Sequence, residues 1–277
     1  MFAGIVLFNP DLNRLLQNVS AILPQVKQLL LVDNGSDNYL KILDLFKNVS
    51  KINTIHFDCN LGIAAAQNRI CQFAKENGYE WAITLDQDSV CPDNLVLEYS
   101  KLLNMANVGI ISPIIVDRNF GVIYESETEE EIDEIEECIA SASAIRISAW
   151  EEVNGFYDPL FIDNVDFDIC QSLRKCGYKI IRTNRVFLLH EVGHSRIVHY
   201  AGKDWILLNH SPLRYYYIIR NAFILGRRHG GLARFILRDM RIFYQVMRYE
   251  DNKCEKAKKM MLGFIHGIIG KEGKYGK

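Results

Sequence analysis

The sequence predicts an α/β fold: a Rossmann-like, mixed and mostly parallel sheet flanked by helices, with a helical extension at the C-terminus. Short apolar runs alternate with helix-like segments, as in βαβ units. Polar residues gather directly behind several successive runs. The extension shows as a late stretch rich in Arg, Tyr and apolar residues at helical spacing, "LRYYYIIRNAFILGRRHGGLARFILRDMRIFYQVMRY" (213–249). The first strand is "AGIVLF" (3–8), and a helix opens near Pro10. "QLLLVD" (28–33) is the second strand, a short helix follows, and "INTIHF" (52–57) is the third strand. In the next helix, Ile63, Ala66, Ile70, Phe73 and Ala74 share one face, which suits packing on a sheet. "WAITLD" is the fourth strand and ends at Asp86.

With 277 residues, 49% of them hydrophobic and 24% charged, the chain has a globular and not a disordered profile. Its seven cysteines include no Cys-x-x-Cys pair, and the N-terminus has neither a basic leader nor a cleavage site, so a cytoplasmic location is expected. No apolar run is long enough to cross a bilayer. The net charge of −2 hides an asymmetry, because from residue 214 onward 15 Lys/Arg face 5 Asp/Glu. Two readings of that basic, apolar tail stand side by side. Its helices rest on an anionic membrane surface, peripheral at the inner face of the cell membrane, or they pack on the core with a solvated basic face. No nucleic-acid motif accompanies the charge, so no nucleic-acid partner is expected.

The second strand runs into "VDNGSDN", the third into "FDCNLG" and the fourth into "LDQDS". In an open parallel sheet the carboxyl ends of the strands share one edge, where ligands bind. Asp33, Asp58, Asn60, Asp86 and Asp88 are therefore expected to converge. The alternative, that each is a polar turn rich in Asx residues, loses force as the pattern repeats three times. Neither Gly-x-Gly-x-x-Gly nor Gly-x-x-x-x-Gly-Lys-Ser/Thr occurs, so a bound diphosphate would need a cation or basic side chains. A hard divalent ion, Mg2+ or Mn2+, held by one or two carboxylates and by substrate phosphates suits Asp86-x-Asp88.

These pieces, with "NLGIAAAQNRI" (60–70), "GFYDPLFIDNVDFDICQSLRKCGYKI" (155–180) and "SPLRYYYIIRN" (211–221), resemble in order and spacing the inverting family-2 nucleotide-sugar glycosyltransferases of GT-A fold, and among them the bacterial rhamnosyltransferases. The resemblance covers residues 1 to about 220. It implies a GT-A domain over 1–210 and a basic amphipathic helical extension over 211–277. Asp33 would contact the nucleotide base, and Asp86 and Asp88 would flank ribose and metal, with Asp88 as ligand. Asn60, Gly62, Asn68 and Arg69 would line the nucleotide-diphosphate pocket, and Asp166 would be the general base. Val165 stands where relatives carry Glu, and Asp163 and Asp168 are neighbouring alternatives. The implied donor is dTDP-L-rhamnose, or another nucleotide sugar such as a UDP-sugar, and the acceptor a hydroxyl of a glycan, polyprenyl-linked or otherwise destined for the surface.

The rival is "HEVGH" (190–194), which satisfies the His-Glu-x-x-His pattern of zinc metallopeptidases. That chemistry needs both His on one helix face, and the preceding "YKIIRTNRVFLL" reads as a strand. His190 or His194 completing the transferase metal site, with His194 taken as the ligand, is favoured over the peptidase, and a structural or loop histidine is favoured over both; 190–211 is the candidate for a loop that orders over donor. A binding module without catalysis is a third reading. The run "ESETEEEIDEIEE" (125–137) reads as a solvated connection. Arg214 and Arg220 read as phosphate-gripping cations or as part of a helix face.

Overall fold

The computed structural model describes residues 1–117, 121–122, 130–190, 196–200, 203–207 and 209–276. In chain order the elements are β1 (Phe2–Leu7), α1 (Leu12–Ile22), β2 (Gln28–Asp33), α2 (Tyr39–Phe46), β3 (Ile52–His56), α3 (Ile63–Glu76), β4 (Trp81–Asp86), α4 (Leu95–Ser100) and β5 (Val108–Asp117). There follow β6 (Gly121–Val122), β7 (Ile132–Ile135), β8 (Ser143–Arg146), α5 (Ile147–Glu152), α6 (Val165–Lys175), β9 (Lys179–His190), β10 (Arg196–Tyr200), β11 (Lys203–Leu207), α7 (Pro212–His229), α8 (Leu232–Tyr249) and α9 (Lys253–Ile269). Two compact units result: residues 1–158 with 166–191, and residues 159–165 with 192–277.

The first unit is built on a sheet in the order β3-β2-β1-β4-β8-β5-β9-β7, with β6 paired to β5. β3, β2, β1 and β4 run parallel, while β8 is antiparallel to both β4 and β5. Period-2 alternation gives the sheet two apolar faces. Ile5, Leu7, Leu29, Leu31, Ile83 and Leu85 join one buried cluster with residues of α1, α2 and α4. The opposite face meets α3 so closely that a Cβ on Gly4 would lie 2.5 Å from the Ile70 side chain. Strand registers pair Leu7 with Asp33, Asp33 with His56 and Val6 with Asp86, so these strands end almost level. The expected shared edge is therefore present.

Residues 125–129 of the acidic run lie outside the described residues, and the rest departs from expectation. Residues 132–135 form β7, an edge strand antiparallel to β9, and the basic residues of β9 face its acids. Arg182 pairs with Asp133 at 2.9 Å and Lys179 with Glu134 at 2.7 Å. Cross-strand charge pairing makes a strand of a segment whose composition alone reads as a connection.

In the second unit, residues 196–207, expected to be part of a loop, include the antiparallel pair β10–β11. α7 is the core of its helical part: Tyr215 to Leu225 are all buried, and it packs against α9. Contact is tight enough that a Cβ at Gly263 would meet the Tyr216 carbonyl oxygen at 2.5 Å. The tail thus does not act as one amphipathic surface. α7 takes the packing role, and α8 and α9 carry the exposed apolar residues.

Candidate active site at the carboxyl edge

Four loops leave the edge behind β1, β2, β3 and β4, and short polar side chains tie them together. Asn34, directly after β2, donates its backbone N–H to Leu7 O (2.8 Å). Its side chain accepts from the Leu61 N–H (2.8 Å) and donates to Gly62 O (3.0 Å). Ser36 Oγ accepts from the Asn9 N–H, Asn9 Oδ1 accepts from the Asp37 N–H, and Gln87 Oε1 accepts from the Phe8 N–H, each at 2.8 Å. The loops after β2 and β3 approach so closely that Gly35 (φ +81°) has no room for a Cβ, which would lie 2.7 Å from the Cys59 backbone. Only glycine satisfies both the left-handed backbone and the gap.

Asp33 is fully buried at the end of β2. One carboxylate oxygen, Oδ2, accepts from the Ser36 N–H (3.0 Å) and meets His56 Nδ1 at 2.7 Å, while Oδ1 is buried without a hydrogen-bond partner. An unpaired buried acceptor is costly, and Asp33 Oδ1 shares that state with Asn18 Oδ1, Asn38 Oδ1 and Gln67 Oε1 among the described residues. The His56 ring stacks on Tyr39 with centroids 4.0 Å apart. Burial and, secondarily, the Asp33 charge hold the Tyr39 phenol above its ordinary range. The Tyr39–His56 stack thus adjoins the Asp33 carboxylate through Oδ2. Neither His56 nor Tyr39 is singled out by the sequence, although "HFD" directly behind an apolar run is the signal that was available.

The turn after β4 is pinned around Asp86 and Asp88. Asn18 donates to the Asp86 carbonyl (2.7 Å), Ser141 Oγ donates to Ser89 Oγ (2.8 Å), and Val90 bridges to Leu189. Both carboxylates are half-buried, and Asp88 makes no hydrogen bond or ion pair to the described residues. Strand alternation puts Asp86 on the face of Thr84. Thr84, Ser143, Cys138, Cys170 and Asp166 line one small cavity, so Asp166 in the first turn of α6 stands on that same face. Asp168, two residues on along a helix, points elsewhere and is fully buried. The hydrogen bond with Cys138 and burial keep the Cys170 thiol well above its ordinary range, so it is no nucleophile.

Of the other expected site residues, Asn60 accepts from the Gly62 N–H (2.9 Å), and Gly62 caps α3 with φ +97°. Arg69 reaches Glu76 at 3.3 Å. Asn68 has another engagement: it donates to Phe156 O (2.8 Å) and Asp158 Oδ1 (2.7 Å), and accepts from Trp150 Nε1 (2.9 Å) and the Phe156 N–H (2.8 Å). All four of its hydrogen-bonding positions are filled from within the chain. His194 lies outside the described residues, and no group of three or more His, Cys, Asp or Glu suited to a metal occurs among the described ones. Asp88 nevertheless fits a hard cation that takes its remaining ligands from phosphate and water, because it is an unengaged oxygen donor on a fixed turn. His190 closes β9 as a strand residue paired with Asp117, which is not the helix that the zinc-peptidase motif requires.

Within the second unit, the loop 159–164 is held by α7. Arg220, fully buried, donates to the carbonyls of Pro159 (3.1 Å), Leu160 (2.9 Å) and Gly273. Asn221 donates to those of Leu160, Ile162 and Asp163. Phe161, Asp163 and Asn164 all take positive φ there. Arg220 is therefore an internal clamp and not a phosphate grip. Arg214 pairs with Asp163 at 3.0 Å, and burial outweighs the nearby arginines to raise the Asp163 carboxyl.

Residues 4–129 match the profile described as glycosyl transferase family 2. Over those residues the chain is similar to glycosyl transferase family 2. It is 29% identical over 302 residues to the dTDP-rhamnosyl transferase RfbF of Shigella flexneri, covering 99% of this chain and 97% of that protein. The fold is GT-A, as in solved structures that it resembles. GalNAc-T7, solved with UDP, GalNAc and Mn2+, superposes with a TM-score of 0.62 at 14% identity over 97% of this chain. Staphylococcus aureus TarS residues 1–349, solved with UDP-GlcNAc, gives 0.54 at 13% identity, again over 97% of this chain. This chain spans 55% of the GalNAc-T7 chain and 72% of the TarS fragment.

Asn68 separates a bracing from a ligand-binding role at this edge. Asn68→Ala should lower unfolding free energy by about 1–3 kcal/mol, the cost of leaving buried partners unpaired, with nucleotide affinity nearly unchanged. Denaturant melts and calorimetry on the same samples read both. A stable variant with lost nucleotide affinity would make Asn68 a donor contact instead.

Proposed function

We propose that the chain is an inverting glycosyltransferase that moves L-rhamnose from dTDP-L-rhamnose to a hydroxyl of a surface glycan acceptor, polyprenyl-linked during synthesis. The observation that carries the donor is the near-full-length likeness to the Shigella flexneri dTDP-rhamnosyl transferase. Residues 1–210 form the transfer domain and 211–277 the helical extension, and the reaction belongs to the cytoplasm, where nucleotide sugars such as this donor are available.

In this reading the pyrimidine base lies over His56 and donates its N3–H to Asp33 Oδ1, one of several buried acceptors without a partner among the described residues. Uracil carries the same N–H, so a UDP-sugar donor fits this contact equally, and the deoxyhexose rests on the relative alone. Asp86 holds the ribose side, and Asn60, Gly62 and Arg69 border the diphosphate. Asp88 would hold Mg2+ or Mn2+, which when bound supplies Lewis-acid neutralisation of the leaving diphosphate, and the second ligand expected from the sequence, His194, lies outside the described residues. Asp166 takes the proton of the acceptor hydroxyl as that oxygen attacks the anomeric carbon opposite the diphosphate, and the displacement inverts the centre. Asp166 suits this task better than its neighbours. It is half-buried in the first turn of α6, whereas Asp168 is wholly buried and Asp163 is paired with Arg214.

Asp166→Asn should reduce transfer by about 10² or more while donor affinity stays near the parent value. Asp163→Asn and Asp168→Asn serve as controls, each read together with its melting temperature. Loss of turnover in a stably folded Asp163→Asn, with Asp166→Asn still active, would move the base to Asp163. In parallel, Asp88→Ala should abolish transfer and any stimulation by added Mn2+ without unfolding the chain. Parent activity in that variant would remove Asp88 from the metal site.

A further inference from the structure

Among the described residues, α8 presents an exposed face. Phe235, Asp239 and Val246 anchor its inner side. On the outer side Leu237 (67% exposed), Met240 (64%), Tyr244 (48%) and Met247 (40%) follow one another at i, i+3, i+7 and i+10, a continuous apolar row. Beside it Arg234, Arg241 and Arg248, all exposed, stand seven residues apart and so form a second row along the helix. The one acidic residue in α8, Asp239, is on the buried side. An exposed apolar row of this length on a soluble surface marks an interaction site, and the arginines beside it select a negatively charged occupant.

We propose that α8 docks this chain on an anionic lipid surface, lying in the plane of the interface with its apolar row at the acyl boundary and its arginines among the headgroups. Among the described residues no helix is long and apolar enough to cross a membrane, whereas a helix that lies on one needs this combination of strong amphipathicity, modest overall hydrophobicity and a basic flank. A second copy of the chain fits less well. Two-fold pairing of α8 with itself would bring two arginine rows together, and like charges across an interface oppose association. The proposal is independent of which sugar is transferred.

The test uses the full chain and sedimentation with vesicles of phosphatidylcholine, with and without phosphatidylglycerol, at low salt. Binding is expected only with phosphatidylglycerol, and it should weaken as ionic strength rises, because exposed charges are screened beyond about 10 Å at 0.1 M. Arg234→Glu, Arg241→Glu and Arg248→Glu combined should reduce binding by about 10² or more, since each cation near an anionic surface contributes about a factor of five. Leu237→Gln with Met240→Gln should reduce it about tenfold, and both variants should melt like the parent because the altered side chains are exposed. Leu237→Trp should show a blue-shifted emission on anionic vesicles. Failure of the parent chain to sediment, or equal binding by the stably folded triple variant, would overturn the proposal. So would a concentration-dependent dimer abolished by the same substitutions in a chain that ignores vesicles.

Discussion

The constraint on which the site depends is the bracing of three of the four loops at one sheet edge by Asn34. Its backbone N–H reaches the end of β1, its side-chain oxygen takes the Leu61 N–H, and its side-chain N–H reaches Gly62. One residue thus couples the ends of three strands. With Ser36, Asn9 and Gln87 extending the lattice, the loops leave little freedom for Asp33 or for the turn carrying Asp86 and Asp88. A site preorganised in this way loses little conformational entropy when ligand arrives, so binding energy is kept for recognition. It also explains the buried Asp33 oxygen without a partner: the rigid surroundings hold it where relaxation would otherwise find it a donor.

The strand ends were the legible part of the molecule. Apolar runs followed by Asx residues announce both a parallel sheet and the edge where ligands sit, and the level registers of Asp33, His56 and Asp86 realise that pattern. Legibility failed where the deciding partner is distant in sequence. "IDEI" reads as solvated until Lys179 and Arg182 lie opposite it. Arg220 reads as a ligand-binding cation because its charge is visible and the carbonyls it clamps are not. Asn68 looks like a pocket residue from its segment, yet its amide is filled by Trp150, Phe156 and Asp158, some 80 to 90 positions away.

The second unit obeys a different economy. Its helical part is organised around α7, whose aromatic residues are buried and whose Arg220 and Asn221 satisfy carbonyls of a loop held in left-handed backbone. Glu250 supports the same packing through the Tyr215 hydroxyl (2.6 Å) and Lys256 (2.9 Å), a buried pair whose geometry offsets its desolvation. With α7 taking the interior, α8 is left free to present apolar and basic rows outward.

The account rests most heavily on the free oxygen of Asp33 as the acceptor for a pyrimidine N3–H. Calorimetric comparison of dTDP with its N3-methyl analogue tests this directly, because the methyl group removes the one donor and leaves sugar, phosphates and ring in place. Loss of affinity by about 10-fold or more for the methylated nucleotide is expected, since a buried acceptor would stay unpaired against a methyl group. Equal affinity of the two nucleotides would contradict the account.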